Sequence, residues 1–259
     1  MPVQEICTVV GMAPLNPTTY WMTLEVGEMV SKEGLRAGQF LHIACGHSRL
    51  LRRPISVALT MAEAPYDTAA LVFEVKGSGT EWLSRRQVGD KVDVLGPLGN
   101  GFSVEEDGRY LLVGGGIGTP PLLGYAGAFG ERSTAVLGFR SADRVILADR
   151  FGESCKEVFL CTDDGSAGRH GFVDAQVRDI LSKDRDFTAV LTCGPKPMLR
   201  NVARAAAEFG VPCQVSMEER MACGVGACLG CAVQMQDGTM KHVCKDGPVF
   251  AAEEVDWDA

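Results

Sequence analysis

Four cysteines near the C-terminal end have the residue type and spacing of a metal site. Cys223, Cys228, Cys231 and Cys244 follow the pattern C-x4-C-x2-C-x12-C. The first three match the spacing with which thiolates hold a plant-type [2Fe–2S] cluster. Two irons bridged by sulfide need four thiolates that converge from a tight loop. The sequence therefore predicts a [2Fe–2S] cluster with these four cysteines as its metal ligands.

Glycines inside the cysteine run support this prediction. They are Gly224, Gly226 and Gly230. Without side chains they let backbone N–H groups approach the sulfurs and stabilise the reduced, more negative cluster. A structural zinc site is the alternative, since His242 could complete a set of three cysteines and one histidine. Zinc sites usually present paired cysteine knuckles, and only Cys228 and Cys231 form a clean C-x2-C pair. The short gap before Cys244 predicts an appendage rather than a full ferredoxin domain.

A glycine loop forms the second candidate site. The strand-like residues 110–113 run into Gly114-Gly115-Gly116-Ile117-Gly118-Thr119-Pro120. A strand, a glycine turn and a proline at a helix start form a cradle for the phosphates of a dinucleotide. The sequence contains no G-x-x-x-x-G-K-S/T, which excludes a P-loop NTPase, and the strict G-x-G-x-x-G is also absent.

Charged residues after two later strands bear on the choice of nucleotide. Residues 162–166 follow a predicted strand and are expected to face the ribose. The carboxylates of Asp163 and Asp164 would disfavour a 2′-phosphate, which favours NAD over NADP. Arg140 and Arg144 are nearby in sequence and favour NADP. The sequence leaves this choice open.

The composition excludes several classes of function. Across 259 residues, 33 acidic side chains face 25 basic ones, for a formal net charge of -8. This balance argues against nucleic-acid binding, which needs a basic surface, and against attachment to anionic lipid. Residues 110–130 are uncharged, but their seven glycines and Pro120-Pro121 fit a strand, a loop and a helix start better than a membrane span. The N-terminus lacks the regions of a signal peptide, so we expect a cytoplasmic protein.

The pattern of apolar runs predicts the elements that position these sites. Six short apolar, β-branched runs separated by turn residues predict a six-stranded antiparallel β-barrel over residues 1–100. Strands and helices then alternate over residues 101–218, which predicts a parallel sheet with helices on both faces. Residues 219–259 are predicted to form a small cluster-binding module with an acidic tail. The expected fold class is thus a β-barrel followed by an α/β domain.

Three further motifs carry a resemblance to a known family. Arg53-Pro54-Ile55-Ser56 opens a barrel strand, and the turn at residues 76–80 precedes a short helix. Cys193-Gly194-Pro195-Lys196-Pro197-Met198 closes a strand of the α/β domain. With the glycine loop and the order of the two domains, these motifs resemble the ferredoxin–NADP reductase family, in which an Arg-x-x-Ser/Thr motif binds flavin.

The resemblance implies flavin-binding roles for individual residues. They fall on Arg53, Pro54, Ile55, Ser56, Val72, Phe73, Glu74, Gly79 and Thr80. Arg53 would neutralise the flavin pyrophosphate, Ser56 would lie near the reactive isoalloxazine nitrogen, and the edge strand at residues 72–74 would run along the flavin. Gly79 and Thr80 would offer phosphate their backbone N–H groups at a helix N-terminus.

The resemblance also implies contacts to the nicotinamide nucleotide. They fall on Gly115, Gly116, Gly118, Thr119, Pro120, Asp163 and Gly194. The family places the cysteine of the Cys-Gly-Pro motif near the point where nicotinamide meets flavin, which makes Cys193 the predicted catalytic residue. The alternative for Cys193 is an ordinary buried thiol at a strand end.

Residues 217–231 and 243–250 narrow the resemblance to the electron-transfer subunits of NAD-dependent dihydroorotate dehydrogenases. That family implies FAD, a [2Fe–2S] cluster and NAD, with two such chains and two FMN-bearing catalytic chains in a heterotetramer of pyrimidine biosynthesis. Flavin exchanges both single electrons and electron pairs, so it must lie between the cluster and NAD.

Two alternatives remain open from the sequence. One is a flavin and iron–sulfur subunit of a sulfide dehydrogenase, hydrogenase or transhydrogenase, which would differ mainly in its partner. The other is a zinc-bearing nucleotide binder or redox sensor without enzymatic activity. The isolated histidines are predicted to be structural; they are His42, His47, His170 and His242.

Overall fold

The first half of the chain is a closed antiparallel barrel. The computed structural model describes residues 2–46, 49–62 and 66–259, so that His47 lies outside the described residues. The six barrel strands are β1 (Val3–Asn16), β2 (Thr19–Glu25), β3 (Phe40–Ile43), β4 (Arg53–Met61), β5 (Thr68–Glu74) and β6 (Lys91–Leu98). Their order around the barrel is β1-β2-β5-β4-β3-β6. The short helix α1 (Ser78–Ser84) connects β5 to β6. The predicted six-stranded barrel is confirmed.

Alternation along the strands builds the barrel interior. Successive side chains of a strand point to opposite faces, so one residue in two can enter the core. Leu41 and Ile43 of β3 are both fully buried in a cluster that also contains Val57 and Leu71. The intervening residue His42 is directed to the outside of the barrel, where the C-terminal part of the chain covers it.

The second half is an α/β domain around one sheet. Its strands are β7 (Tyr110–Gly115), β8 (Ser133–Phe139), β9 (Glu157–Thr162), β10 (Arg169–His170), β11 (Ala189–Cys193), β12 (Cys213–Ser216) and β15 (Val249–Ala251). The sheet order is β10-β9-β8-β7-β11-β12-β15, and all neighbours are parallel except β12 and β15. Its helices are α2 (Leu123–Phe129), α3 (Ala148–Ser154), α4 (Val173–Lys183) and α5 (Lys196–Glu208). The predicted parallel-sheet domain is confirmed.

Both faces of this sheet are covered. Leu111 and Val113 of β7 pack in the cluster with residues of α4 and α5. Tyr110 and Leu112 pack in the opposite cluster, with residues of α2 and α3. A strand that buries both faces has a continuous apolar run, which is the pattern that residues 110–113 show in the sequence.

The cysteine-bearing segment is joined to both halves of the molecule. Its strands β13 (Ala232–Gln234) and β14 (Met240–His242) form a hairpin, and β15 extends the α/β sheet. Cys231 and Cys244 are buried in the same cluster as Leu98 of the barrel and Val215 of β12. The domain limits 1–100, 101–218 and 219–259 stay a prediction. Within the described residues, no helix has both the length and the apolar character needed to cross a membrane.

Candidate functional site

Two neighbouring barrel strands separate at the predicted flavin site. β4 and β5 pair from Met61 opposite Thr68 to Val57 opposite Leu71, and their register ends there. Beyond this point residues 53–56 pair with β3, and residues 72–74 pair with β2. The strands therefore diverge and leave two facing backbone edges.

The divergence of β4 and β5 corrects the expected edge strand at residues 72–74 and supports the expected orientation of Ser56. β5 is an interior strand of the closed barrel, so residues 72–74 do not form an edge strand; they are a local free edge at its end. Ser56 lies on the same face of β4 as Ala58, which packs in a core cluster of the α/β domain. Ser56 therefore faces the side from which a nucleotide would approach, whereas Ile55 is buried in the barrel core. Pro54, the register partner of His42, is half-buried.

Arg53 and the first turn of α1 are in contact. A Cβ atom added to Gly79 would lie 2.5 Å from Nε of Arg53, so a larger residue there would require the Arg53 side chain to shift. The Arg53 guanidinium donates to the carbonyls of Leu51 and Arg52. The structure thus brings Arg53 and Gly79 together as a cationic cradle, which fits an anionic group such as a pyrophosphate.

The hydroxyl of Thr80 hydrogen-bonds to the backbone at the start of α1. Its Oγ1 accepts hydrogen bonds from the backbone N–H of Lys76 at 3.0 Å and of Gly77 at 3.3 Å, and it donates to the Gly77 carbonyl at 3.1 Å. This capping leaves the backbone N–H groups of the first turn, rather than the hydroxyl, available to a phosphate.

The glycine loop lies where the strand order of the α/β sheet reverses. From β7 the chain proceeds to β8 and β9 on one side, and to β11 and β12 on the other. Ligands of such sheets bind at the carboxyl ends of the strands at this switch point. There the loop contacts the end of β11, because a Cβ atom on Gly118 would lie 2.5 Å from the carbonyl oxygen of Cys193 and 2.6 Å from the nitrogen of Gly194. A Cβ atom on Gly115 would lie 2.3 Å from Sδ of Met198.

The remaining loop residues are held tightly. Gly116 has a φ of +53°, which favours glycine. The backbone N–H of Thr119 donates to the Gly116 carbonyl at 3.1 Å. The side-chain hydroxyl of Thr119 is fully buried and has no hydrogen-bond partner among the described residues. Pro120 opens the 3-10 turn that leads into α2. The structure thus gathers the predicted loop contacts beside Cys193 and Gly194.

Cys193 is a neutral thiol in this setting. Burial raises its pKa to about 12, and a hydrogen bond with Ser216 opposes the rise. A thiolate nucleophile would need a lowered pKa. The side chain can therefore contact or position a nucleotide, and it is unsuited to nucleophilic attack.

Asp163 lies away from the glycine loop. It follows β9, whereas the strand beside β7 is β8, which ends at Phe139 and is followed by Arg140. The backbone N–H of Asp163 donates to the Phe139 carbonyl at 3.0 Å, and its side chain is exposed. Hydrogen bonds from Ser166 lower the pKa of the neighbouring Asp164. The structure thus brings Arg140, and not Asp163, to the strand end next to the loop.

A contact between the halves was missed by the sequence analysis. Arg144 donates to Oγ1 of Thr18 at 2.9 Å and lies 3.6 Å from the carboxylate of Glu74. It therefore connects the free end of β5 to the loop after β8. Only the long-range fold brings these residues together, so no local pattern in the sequence could have indicated the contact.

The four cysteines lie close together on one segment. The backbone N–H of Cys228 donates to Sγ of Cys223 at 3.4 Å, and the backbone N–H of Gly226 donates to Sγ of Cys244 at 3.1 Å. Cys231 and Cys244 are buried in one cluster. In the described part of the chain, no group of three or more His, Cys, Asp or Glu side chains is arranged around a single ion position. Four cysteine thiolates are the donor set of a [2Fe–2S] cluster, so the residues fit this group. His242 instead contacts Asp246, with Nδ1 at 3.4 Å from its carboxylate.

Backbone N–H groups already point at the sulfurs. Sγ of Cys223 accepts hydrogen bonds from three backbone nitrogens at 3.3 to 3.4 Å, those of Val225, Ala227 and Cys228. Sγ of Cys244 accepts one from Gly226 at 3.1 Å. Gly224 and Gly226 have φ values of +75° and +79°, which fold the loop over the sulfurs.

These contacts give the thiols of Cys223 and Cys244 opposite pKa shifts. Burial raises the pKa of Cys223, but the backbone N–H groups and the Cys228 thiol outweigh it and lower the pKa to about 6. Burial and the hydrogen bond with Cys231 raise the pKa of Cys244 to about 12. The backbone N–H groups thus favour the thiolate form of Cys223, and metal binding at Cys244 would release a proton.

Comparisons with known proteins agree with this architecture. Residues 218–256 match the family described as the iron-sulfur cluster binding domain of dihydroorotate dehydrogenase B. A ferredoxin reductase of carbazole 1,9a-dioxygenase superposes with a TM-score of 0.67 over 82% of this chain and 66% of its own, and its 20% identity shows the fold alone. The barrel, the α/β domain and the cysteine segment define an oxidoreductase of the ferredoxin reductase class.

Relatives with 36–41% sequence identity identify the family within this class. Dihydroorotate dehydrogenase B (NAD(+)), electron transfer subunit, of Bacillus pumilus is 41% identical over 96% of both chains. The subunit of the same name from Streptococcus mutans is 39% identical over 98% of this chain and 99% of its own. A chain in the structure of NADH-dependent reduced ferredoxin-NADP oxidoreductase is 36% identical, with a TM-score of 0.86 over 98% of this chain and 91% of that one. The chain belongs to the family of dihydroorotate dehydrogenase B electron transfer subunits.

Proposed function

We propose that this chain carries electrons from the oxidation of dihydroorotate, on a separate catalytic subunit, to NAD in pyrimidine biosynthesis. Support comes from relatives near 40% identity along nearly the whole chain, whose names describe an electron transfer subunit of an NAD-linked enzyme. We further propose that the partner carries FMN and that two chains of each kind assemble. We also propose a cytoplasmic location, where cysteines stay reduced and can serve as metal ligands.

The observation that carries the proposal is the convergence of the cysteines on a segment packed against the barrel, where one loop donates backbone N–H groups to Sγ of both Cys223 and Cys244. FAD, when bound, exchanges a hydride with nicotinamide and single electrons with an iron–sulfur cluster. Cys223, Cys228, Cys231 and Cys244 would hold the cluster.

The other residues would bind and orient the two nucleotides. Arg53 and the first turn of α1 would hold the flavin pyrophosphate, and the facing edges of β4 and β5 would receive the flavin ring. Gly118 and its loop would seat the NAD phosphates beside Cys193, whose neutral thiol would contact the nicotinamide. Asp163 is kept as a ribose contact only by the family resemblance, because the structure places it one strand further from the loop.

Anaerobic purification followed by mixing with an FMN-bearing catalytic subunit tests the proposal. We expect flavin and [2Fe–2S] absorption bands in the isolated chain, and both should bleach on addition of NADH. The mixture should reduce NAD with dihydroorotate, while neither subunit does so alone. A colourless chain with stoichiometric zinc would refute the proposal. A coloured chain that fails with dihydroorotate but reduces another partner would support the alternative partner complexes instead.

A further inference from the structure

His42 is a buried polar side chain at the boundary between the barrel and the cysteine segment. It is 0% exposed, although histidine is polar at both ring nitrogens. Because Leu41 and Ile43 fill the barrel core, alternation along β3 turns His42 outward, on the same face as Phe40. Phe40 packs in the cluster that contains Cys231 and Cys244.

Neither ring nitrogen of His42 has a hydrogen-bond partner among the described residues. A buried polar group without a partner is unfavourable, and native proteins rarely leave one unexplained. Burial, followed by the charge of Arg52, lowers the pKa of His42 to about 4. In either protonation state an imidazole retains at least one N–H donor, so the side chain holds an unused donor inside the protein.

The ring lies directly against the loop that follows Cys223. A Cβ atom on Gly224 would be 2.6 Å from Nδ1 of His42 and 3.3 Å from a methyl carbon of Leu98. The neighbouring Leu98 and Phe40 offer only apolar atoms. On its other side, the backbone of His42 is the register partner of Pro54 in the predicted flavin motif. The unused donor thus lies against the cysteine loop, on a strand that pairs with the predicted flavin motif.

We propose that His42 donates a hydrogen bond from its ring to a sulfur of the [2Fe–2S] cluster and thereby raises the reduction potential of that cluster. The inference rests on the proposed function, because it requires the cluster to be present. Reduction adds negative charge, so an N–H donor to sulfur stabilises the reduced form more than the oxidised form. The same contact would explain why residue 224 is a glycine: a side chain there would displace the ring.

The test compares cluster potentials in the anaerobically purified holoprotein. The variant His42→Leu removes the donor, and His42→Asn retains an N–H donor on a shorter side chain. In a redox titration followed by EPR, we expect His42→Leu to lower the equilibrium constant for cluster reduction about tenfold, which is 59 mV for one electron. His42→Asn should recover part of the shift, the flavin potential should be unchanged, and the exposed control His170→Leu should match the parent.

Each outcome decides the inference. A His42→Leu protein that holds its cluster at the parent potential would overturn it. If that variant loses its cluster, pulsed EPR of the parent labelled with nitrogen-15 histidine decides instead. A nitrogen coupling to the reduced cluster that persists in His242→Asn supports the inference, and its absence rejects it. A parent chain that holds no [2Fe–2S] cluster would refute the proposed function itself.

Discussion

At the scale of single residues, the exposed Cys228 gives the most direct test of the cluster ligands. We expect Cys228→Ser to abolish the [2Fe–2S] absorption and to reduce the iron content, because a serine hydroxyl is a poor ligand for iron compared with a thiolate. The flavin should remain bound, since residue 228 is solvent-exposed and lies on a separate segment from Arg53 and α1. Iron analysis and the visible spectrum measure both quantities.

Cys155→Ser is the matched control for this prediction. The Cys155 thiol is buried and hydrogen-bonded to Oγ of Ser133 at 3.3 Å, so that a serine hydroxyl can keep the contact. This variant should retain the parent's iron content. Equal iron in parent and Cys228→Ser would show that the ligand assignment is wrong.

A second residue-scale prediction concerns Arg53. Arg53→Ala should weaken FAD binding roughly ten- to a hundredfold, because a hydrogen bond to a charged group contributes about 1.5–3 kcal/mol. Arg85→Ala removes the same charge from the exposed end of α1, where Arg85 pairs with Glu81, and such surface pairs contribute little. Flavin released on dialysis measures the difference. Equal retention of flavin by the two variants would contradict the pyrophosphate role.

The sequence could predict those residues whose chemistry depends on local spacing. The cysteine run is such a case, because its four proposed ligands lie within 22 residues of the sequence. Asp163 is the opposite case: it follows a strand, as expected, but the order of strands in the sheet places Arg140 closer to the glycine loop. The burial of His42 also depends on a segment that follows much later in the chain, so the local sequence gives this histidine no special role.

At the scale of elements, the glycine loop makes a specific prediction. Gly118→Ala should destabilise the protein by about 1–3 kcal/mol, as overpacking does, because the new Cβ would meet the backbone of Cys193 and Gly194. A backbone obstacle cannot rotate away, so the loop itself must shift. NAD binding should weaken while FAD content stays at the parent level. Thermal unfolding and NADH titration measure the two effects.

Gly127→Ala provides the control on the helix that follows. Gly127 is exposed within α2, and a Cβ atom there meets nothing within 4 Å. Alanine should therefore stabilise the helix by about 0.5–1 kcal/mol and leave nucleotide binding unchanged. If Gly118→Ala bound NADH as tightly as Gly127→Ala, the loop would not be the nucleotide cradle.

The elements themselves were largely predictable from apolar periodicity. All six barrel runs became strands, and helices alternate with strands over residues 101–218 as expected. The short helix α3 has the weakest local pattern among them, because it buries a single residue, Phe151. β15 was missed because its pairing with β12 is a long-range contact that no local pattern encodes.

At the scale of the whole molecule, the two cofactor regions must keep a fixed relation to each other. The free ends of β4 and β5, proposed to receive the flavin, belong to the barrel, and the glycine loop, proposed to seat NAD, belongs to the α/β sheet. Hydride exchange between these ligands would then depend on the interface between the halves. Gly124 of α2 packs closely there, since its Cβ would lie 2.4 Å from Cβ of Ala37. The interface is therefore built by close backbone approach together with a small number of hydrogen bonds.

Tyr125 supplies one of those hydrogen bonds, to Ala37, and fixes the segment after the barrel at Phe102 with another. Its hydroxyl accepts from the backbone N–H of Phe102 at 2.9 Å and donates to the carbonyl of Ala37 at 3.0 Å, and burial raises its pKa, so the donor proton is retained. Tyr125→Phe should lower the free energy of unfolding by about 1–3 kcal/mol, because both buried partners lose their bond. Tyr125→Phe should also slow flavin reduction by NADH.

The exposed control Tyr66→Phe should stay within about 0.5 kcal/mol of the parent in its free energy of unfolding. Denaturant unfolding and stopped-flow absorbance measure both effects, and parent-like values in Tyr125→Phe would mean that apolar packing alone holds the two halves in register.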